Sequence, residues 1–322
     1  MSSIFLVALT LFSFIIPSLA AAGDTTKVSL ALQWYPQTQF AGYYMAKEKG
    51  IYAKYGLNVT ILHGDADSES LDRLTSGEAE FATAFLSSAM GAWANGVKLV
   101  NVAQIVQRTA LMIVARKGSG INTIADLENA RIGTWGSQFQ LQAQSLFLRE
   151  NMDVTFVRQS PSFELFMRGG LDATLAMWYN EYHRLLSYGL NPDEMTTFMF
   201  SNLSLNQPED GIYCLQSTYD KSPDTVRALV EATVEGWEYA FSHQEETIDT
   251  LLQIMREQKV RANKAHQRWM LARMKDIILG DKAKISTQLD PVDFDSLKIE
   301  LMRAGVTMVN IPYIDFYKGL NQ

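Results

Sequence analysis

Cysteine is nearly absent from this chain: Cys214 is the only one in 322 residues. That excludes an intrachain disulfide framework and any zinc or iron–sulfur site assembled from thiolates. Basic charge is not in excess either. With 28 Lys plus Arg against 35 Asp plus Glu, a net charge of -7, the chain lacks the cationic surface and counterion release on which nucleic-acid binding depends. Histidine is scarce, and His63, His183, His243 and His266 show no ligand spacing to one another, so each reads as a surface or packing residue and not a metal ligand. There is no Walker loop and no G-x-S-x-G elbow. Gly118-Ser119-Gly120 carries Thr123 where a dinucleotide fingerprint needs its third glycine, and it reads as a plain loop. Asp65-Ala66-Asp67-Ser68-Glu69 starts like a calcium loop, but Ser70 replaces the required Gly and Ser76 the bidentate Glu, which leaves a solvated acidic turn.

A long apolar run occurs once, at the start. The first 22 residues hold no charged side chain, and the run from Ile4 to Ile16 is shorter than the roughly 20 apolar residues a membrane span needs. Pro17 and the small residues after it offer cleavage positions following Ala20 or Ala22, so residues 1–22 read as a signal peptide, although Met1-Ser2-Ser3 lacks the usual positive charge. No Cys follows, which excludes lipid attachment there. The expected mature protein is soluble and exported. Its 47% hydrophobic content, with 6 Trp, 13 Tyr and 16 Phe, describes an aromatic-rich folded chain with length for about two domains.

From Lys27 the sequence alternates short apolar runs with amphipathic stretches, the pattern of βαβ units around a mostly parallel sheet. Strands are expected at Lys27 to Gln33, Leu57 to Leu62, Phe81 to Ala84 and Leu99 to Val106, with helices at Ala41 to Lys49, Ser68 to Thr75 and Ser87 to Asn95. The grammar then restarts with strands at Arg131 to Trp135, Val154 to Arg158 and Ala173 to Ala176, and helices at Gln138 to Asn151, Ser162 to Arg168 and Tyr179 to Tyr188. After about Ser222 the chain reads as mainly helical.

The halves look like copies. Leu71 to Ala82 parallels Phe163 to Thr174: in each, a helix ends at a Gly suited to the left-handed C′ position and an acidic residue precedes a buried strand. Trp34 closes the first strand of one half and Trp135 that of the other, followed by Gln39-Phe40 and Gln138-Phe139. Leu111 to Arg116 and Gly211 to Gln216 are apolar, β-prone runs suited to crossing between lobes. The implied organisation is a discontinuous first lobe, 23–115 and 211–322, around a second lobe, 116–210.

Trp34, Trp135 and Trp178 each stand just after a strand, with Gln37, Gln39, Gln138, Asn180 and Glu181 close by. A single Trp is most simply core packing, and Trp93, Trp237 and Trp269 read that way. Three at strand ends point to a cleft, because ligands of open α/β sheets sit outside the carboxyl ends of strands. Such a lining suits a flat aromatic ligand stacked by rings and oriented by hydrogen bonds. No Lys or Arg lies inside these segments, so a sulfonate or phosphate is not the obvious ligand.

The run from Leu32 to Tyr52, LQWYPQTQFAGYYMAKEKGIY, followed by Tyr55-Gly56-Leu57-Asn58-Val59, resembles the opening of the family that joins sulfonate-binding proteins with thiamine-pyrimidine-binding proteins and synthases. Ile132-Gly133-Thr134-Trp135-Gly136, Met177-Trp178-Tyr179-Asn180-Glu181-Tyr182 and Glu209-Asp210-Gly211-Ile212-Tyr213 continue the resemblance, over about residues 27–240. It implies an α/β, type II periplasmic-binding-protein fold: two lobes joined by crossover strands, with a ligand cleft between them. It implies also a monomer that needs no cofactor and delivers a small aromatic ligand to the permease and ATPase of an ABC importer. The expected ligand-binding residues are Trp34, Gln37, Gln39, Phe40, Trp135, Gln138, Phe139, Trp178, Tyr179, Asn180, Glu181 and Glu209.

The synthase branch resembles this chain less. Its members look as if they carry an Asn-His pair where Gln39-Phe40 stands here, and a cysteine cluster that Cys214 alone cannot supply. The Gln-Phe-Ala-Gly-Tyr-Tyr version is more similar to bacterial members, including riboflavin-binding proteins and sensor domains. Binding of an aminopyrimidine or a flavin, an enzyme of thiamine-pyrimidine formation, and a ligand sensor for a separate signalling partner all remain open at this stage.

Overall fold

The structure, a computed structural model, describes residues 25–65, 69–159, 162–305 and 310–320. The signal-peptide assignment and the centre of the acidic turn at 66–68 lie outside those residues. Among the described residues no helix is long and apolar enough to cross a membrane.

Among the described residues ten strands form two five-stranded sheets: β1 Thr26–Ala31, β2 Leu57–Leu62, β3 Phe81–Phe85, β4 Leu99–Gln104, β5 Leu111–Arg116, β6 Arg131–Thr134, β7 Thr155–Arg158, β8 Ala173–Met177, β9 Met195–Met199 and β10 Asp210–Leu215. The first sheet runs β2-β1-β3-β10-β4 and the second β7-β6-β8-β5-β9. In each, three strands are parallel, and the fourth, β10 or β5, lies antiparallel to both of its neighbours. The sheets are therefore mixed, with four strands of each running one way and one against them. The antiparallel strand of each comes from across the chain. β5 belongs to the second sheet, which corrects the sequence-based placement of 111–115 in the first lobe. β9 was not foreseen; Met-Thr-Thr-Phe-Met is a half-exposed edge with little periodic signal.

Burial follows position. Edge strand β2 alternates buried and exposed residues, whereas every residue of central β3 is buried because helices cover both faces. The duplication extends to hydrogen bonds. Gly77 and Gly169 both end a helical turn with φ near +77°, at 78° and 76°, where a side chain would be strained. Glu80 then accepts the backbone N–H of Ser29 at 2.7 Å, and Asp172 that of Arg131 at 2.8 Å. The acidic residue before β3 thus pins β1, and the one before β8 pins β6. The hydrogen bond from Arg131 N–H holds the Asp172 carboxyl below its usual range.

Two segments cross between the lobes and are tied to each other. Val106 N–H donates to the Asp210 carbonyl at 3.0 Å, Glu209 N–H to the Val106 carbonyl at 3.2 Å, and Thr109 N–H to Asn206 Oδ1 at 3.1 Å. A third connection comes from the helix Lys264–Leu279. It is bound to the first lobe through Gln267 and Thr38, and to the second through Trp269 Nε1, which donates to the Trp178 carbonyl at 2.9 Å.

Candidate functional site

A cavity of about 1240 Å³ opens between the lobes. That exceeds the roughly 300–1,000 Å³ of ordinary small-molecule sites, which leaves room for the lobes to approach each other. The first lobe contributes Gln33, Trp34, Tyr35, Gln37, Gln39 and Phe85, the second Trp135, Met177, Tyr179, Asn180, Glu181 and Tyr188. The third wall, residues 258–263 with His266 and Gln267, is the approach to helix Lys264–Leu279 and its first turn. Asn263 caps that helix by accepting the N–H of His266 at 3.0 Å.

Each lobe packs its aromatics edge to face. Trp34 meets Tyr35 edge-on at 5.5 Å. In the second lobe the buried ring of Phe163 is a hub: Trp135 at 5.8 Å and Tyr188 at 5.9 Å are both edge-on to it, and the Arg184 guanidinium lies over it at 5.6 Å. The floor is built from amides and acids. Gln37 Nε2 donates to Gln39 Oε1 at 2.8 Å, Gln39 Nε2 to Asp210 Oδ2 at 3.1 Å, and Gln33 Nε2 to Asp210 Oδ1. Burial pushes the Asp210 carboxyl up to about 7 against the lowering effect of those two donors. In the second lobe Asn180 Nδ2 donates to Glu181 Oε1 at 2.7 Å and Met177 N–H to Glu181 Oε2 at 3.1 Å. Burial raises Glu181 above the usual carboxylate range, with nearby Arg184 opposing it.

Of the twelve residues read from the sequence, the structure brings Trp34, Gln37, Gln39, Trp135, Tyr179, Asn180 and Glu181 to this cavity. The side chains of Gln138 and Phe139 lie outside the described part of the structure. Three are placed elsewhere. Phe40 is wholly buried in the first-lobe core. Trp178 does not line the cavity; in the turn that follows β8, Arg273 stacks on it at 4.7 Å and on Trp269 at 4.9 Å. Glu209 is buried between the crossover segments, where its carboxylate accepts the Ala110 N–H and, at 3.3 Å, the Thr109 hydroxyl; burial holds it well above the usual range.

Several lining residues escaped the sequence reading. His266 and His183 read as surface or packing residues in the sequence, yet His266 lines the cavity and stands 2.9 Å from Asn180 and 3.0 Å from His183. Arg158, Arg184, Lys259 and Arg261 also line it, so the cleft is not free of cations as its motif segments suggested. Asn263 before an amphipathic stretch was a readable helix-start signal, but nothing in sequence spacing relates it to Asn180.

Comparison with known proteins agrees with this architecture. The alkanesulfonate-binding protein SsuA from Xanthomonas axonopodis pv. citri, solved bound to MOPS, superposes with a TM-score of 0.70 at 16% identity, covering 92% of this chain and 100% of that one. The shared fold is that of solute-binding proteins of ABC importers. The riboflavin-binding protein RibY of Chloroflexus aurantiacus is 26% identical over 251 residues, 75% of this chain and 70% of that protein. The 4-amino-5-hydroxymethyl-2-methylpyrimidine phosphate synthase of Uromyces fabae is 25% identical over 159 residues, about half of either chain, at 48% and 47%. The family described as NMT1/THI5 like matches residues 37–247, about two thirds of the sequence, and with the two-lobed fold and the motifs at Trp34, Trp135 and Trp178 this establishes that the chain belongs to the NMT1/THI5-like family.

Proposed function

We propose that this protein is an exported solute-binding protein that captures a small aromatic heterocycle between its lobes and presents it to the permease and ATPase of an ABC importer. The observation that carries the reading is the pair of aromatic walls, Trp34 and Tyr35 on one lobe and Trp135 and Tyr188, both packed on Phe163, on the other, around a floor of hydrogen-bonding amides and the carboxylate of Glu181. Rings of that kind stack on a planar solute, and the polar groups orient its edge. The cations Arg158, Arg184, Lys259 and Arg261 make the cavity compatible with an anionic substituent on that ring. Likeness to a riboflavin-binding protein and to pyrimidine phosphate synthases supports a flavin or an aminopyrimidine as the ring.

An enzyme of pyrimidine formation is the less supported reading, because Phe40 is a core residue and Cys214 is buried in β10, its thiol pushed up to about 12 by burial. Calorimetric titration with riboflavin and with 4-amino-5-hydroxymethyl-2-methylpyrimidine tests the proposal. Glu181→Gln should weaken the aminopyrimidine about 10- to 150-fold, the range of a roughly 1.5–3 kcal/mol charged hydrogen bond, and riboflavin less, since a Gln carbonyl still accepts one imide N–H. Protein-dependent conversion of either compound would replace binding with catalysis, and failure of both to bind would refute the choice of ring.

A further inference from the structure

Glu181 is not held by its own lobe alone. Asn180, Glu181 and His183 belong to the second lobe, whereas His266 sits in the first turn of helix Lys264–Leu279, whose next residue, Gln267, is bound to Thr38 of the first lobe. The polar groups form one chain: His183 Nδ1 to His266 Nδ1 at 3.0 Å, His266 Nε2 to Asn180 Oδ1 at 2.9 Å, and Asn180 Nδ2 to Glu181 Oε1 at 2.7 Å.

Its direction is fixed by inventory. An Asn amide that donates through Nδ2 to a carboxylate offers only its oxygen to the other side, so His266 must carry a proton on Nε2. A neutral His266 then has its lone pair on Nδ1, and His183 must supply the Nδ1–H between the rings. Glu181 at the end accepts on both oxygens, the second from Met177 N–H at 3.1 Å. The arrangement is packed as well as bonded. His183 lies 5.2 Å from the Trp269 ring, and Asn180 and Glu181 are 8% and 7% exposed, so loss of His266 would take away the protein donor to Asn180 Oδ1.

We infer that His266 is a positioning residue of the cleft, reaching across from the first-lobe side to fix Asn180 and, through it, the Glu181 carboxylate presented to a ligand. Helix Lys264–Leu279 is thus part of the binding site, not only part of the scaffold: the acceptor is in place when that helix and the second lobe are in register. The inference rests on the cleft being the ligand site.

Two measurements on the full chain test it. Nitrogen-15 imidazole spectra of the wild type at pH 7 should show His266 neutral and protonated on Nε2, and His183 neutral and protonated on Nδ1. A neutral His266 protonated on Nδ1 would overturn the chain of bonds, since Nε2 would then be an acceptor and Asn180 would have to donate to it. Riboflavin titration of wild type, His266→Phe and His266→Gln is the second. The Phe variant should bind about tenfold more weakly, the effect of one lost hydrogen bond, while Gln, which can place an N–H where Nε2 stood, should stay within about twofold. Equal affinities for all three, at equal melting temperatures, would remove His266 from the site. A wild type that ignores riboflavin would refute that choice of ligand, and the tautomers, read without ligand, would still decide the relay.

Discussion

Thr38 and Gln267 stand 229 positions apart in sequence and are joined through both donors of Thr38: its N–H donates to Gln267 Oε1 at 2.8 Å, and its single hydroxyl proton is shared between the Gln267 carbonyl at 2.9 Å and Oε1 at 3.0 Å. Both residues are fully or almost fully buried, at 0% and 1% exposure. This clasp seats the third wall of the cavity on the turn that follows Trp34. Gln267→Ala should strand the Thr38 N–H and cost roughly 1–3 kcal/mol, the penalty for an unsatisfied buried donor, measured by urea unfolding. A loss below a few tenths would mean that the helix is held by its apolar face alone.

The crossover segments are joined by backbone bonds at Val106, Glu209 and Asp210 and by the Glu209 carboxylate on Ala110, while the cavity is wider than a small ligand needs. Hinge closure is therefore expected on ligand binding. Small-angle scattering should show a smaller radius of gyration with saturating riboflavin, and an unchanged radius at proven saturation would contradict a hinge at these segments.

Trp135 and Trp34 line the cavity, and Trp93 and Trp237 pack in the first lobe. Ligand addition should change tryptophan emission, with Trp135→Ala abolishing about half or more of the change if two rings dominate it. Trp93→Ala should leave the change intact; the reverse pattern would exchange the roles of core and cleft.

Asp210 predicts a pH signature. Burial raises its folded-state carboxyl to about 7, against about 3.9 for an unfolded Asp. The folded state thus binds the extra proton between those values, so this group's contribution to stability is complete below about pH 4 and is lost as pH rises toward 7. Glu209 and Glu181, also raised by burial, act in the same direction. Unfolding midpoints of Asp210→Asn should decline less between pH 4 and 7 than those of wild type, on top of a constant loss, because an Asn places one donor against Gln33 or Gln39. Parallel slopes would mean that Asp210 is ionised in the fold throughout.

Most strands and helices were legible in the sequence because their signals are local. The alternation in β2, the all-apolar run of β3, and the glycines and acids at Gly77 and Glu80 and again at Gly169 and Asp172 each report on a few neighbouring residues, and the duplication made them readable twice. The same locality placed Trp34 and Trp135 at strand ends, and the aromatic and amide character of the cleft followed. What only the tertiary structure decided is which distant groups share one space. β5 and β10 exchange sheets through hydrogen bonds whose partners lie about 60 to 130 residues away. His266 meets Asn180 and Gln267 meets Thr38 because helix Lys264–Leu279 lies across both lobes, and Trp178, one residue from the cavity wall, turns instead to Arg273. Sequence periodicity fixes the face on which a side chain stands. Its partner is set by how the sheets and the late helix pack, which depends on burial summed over the whole chain.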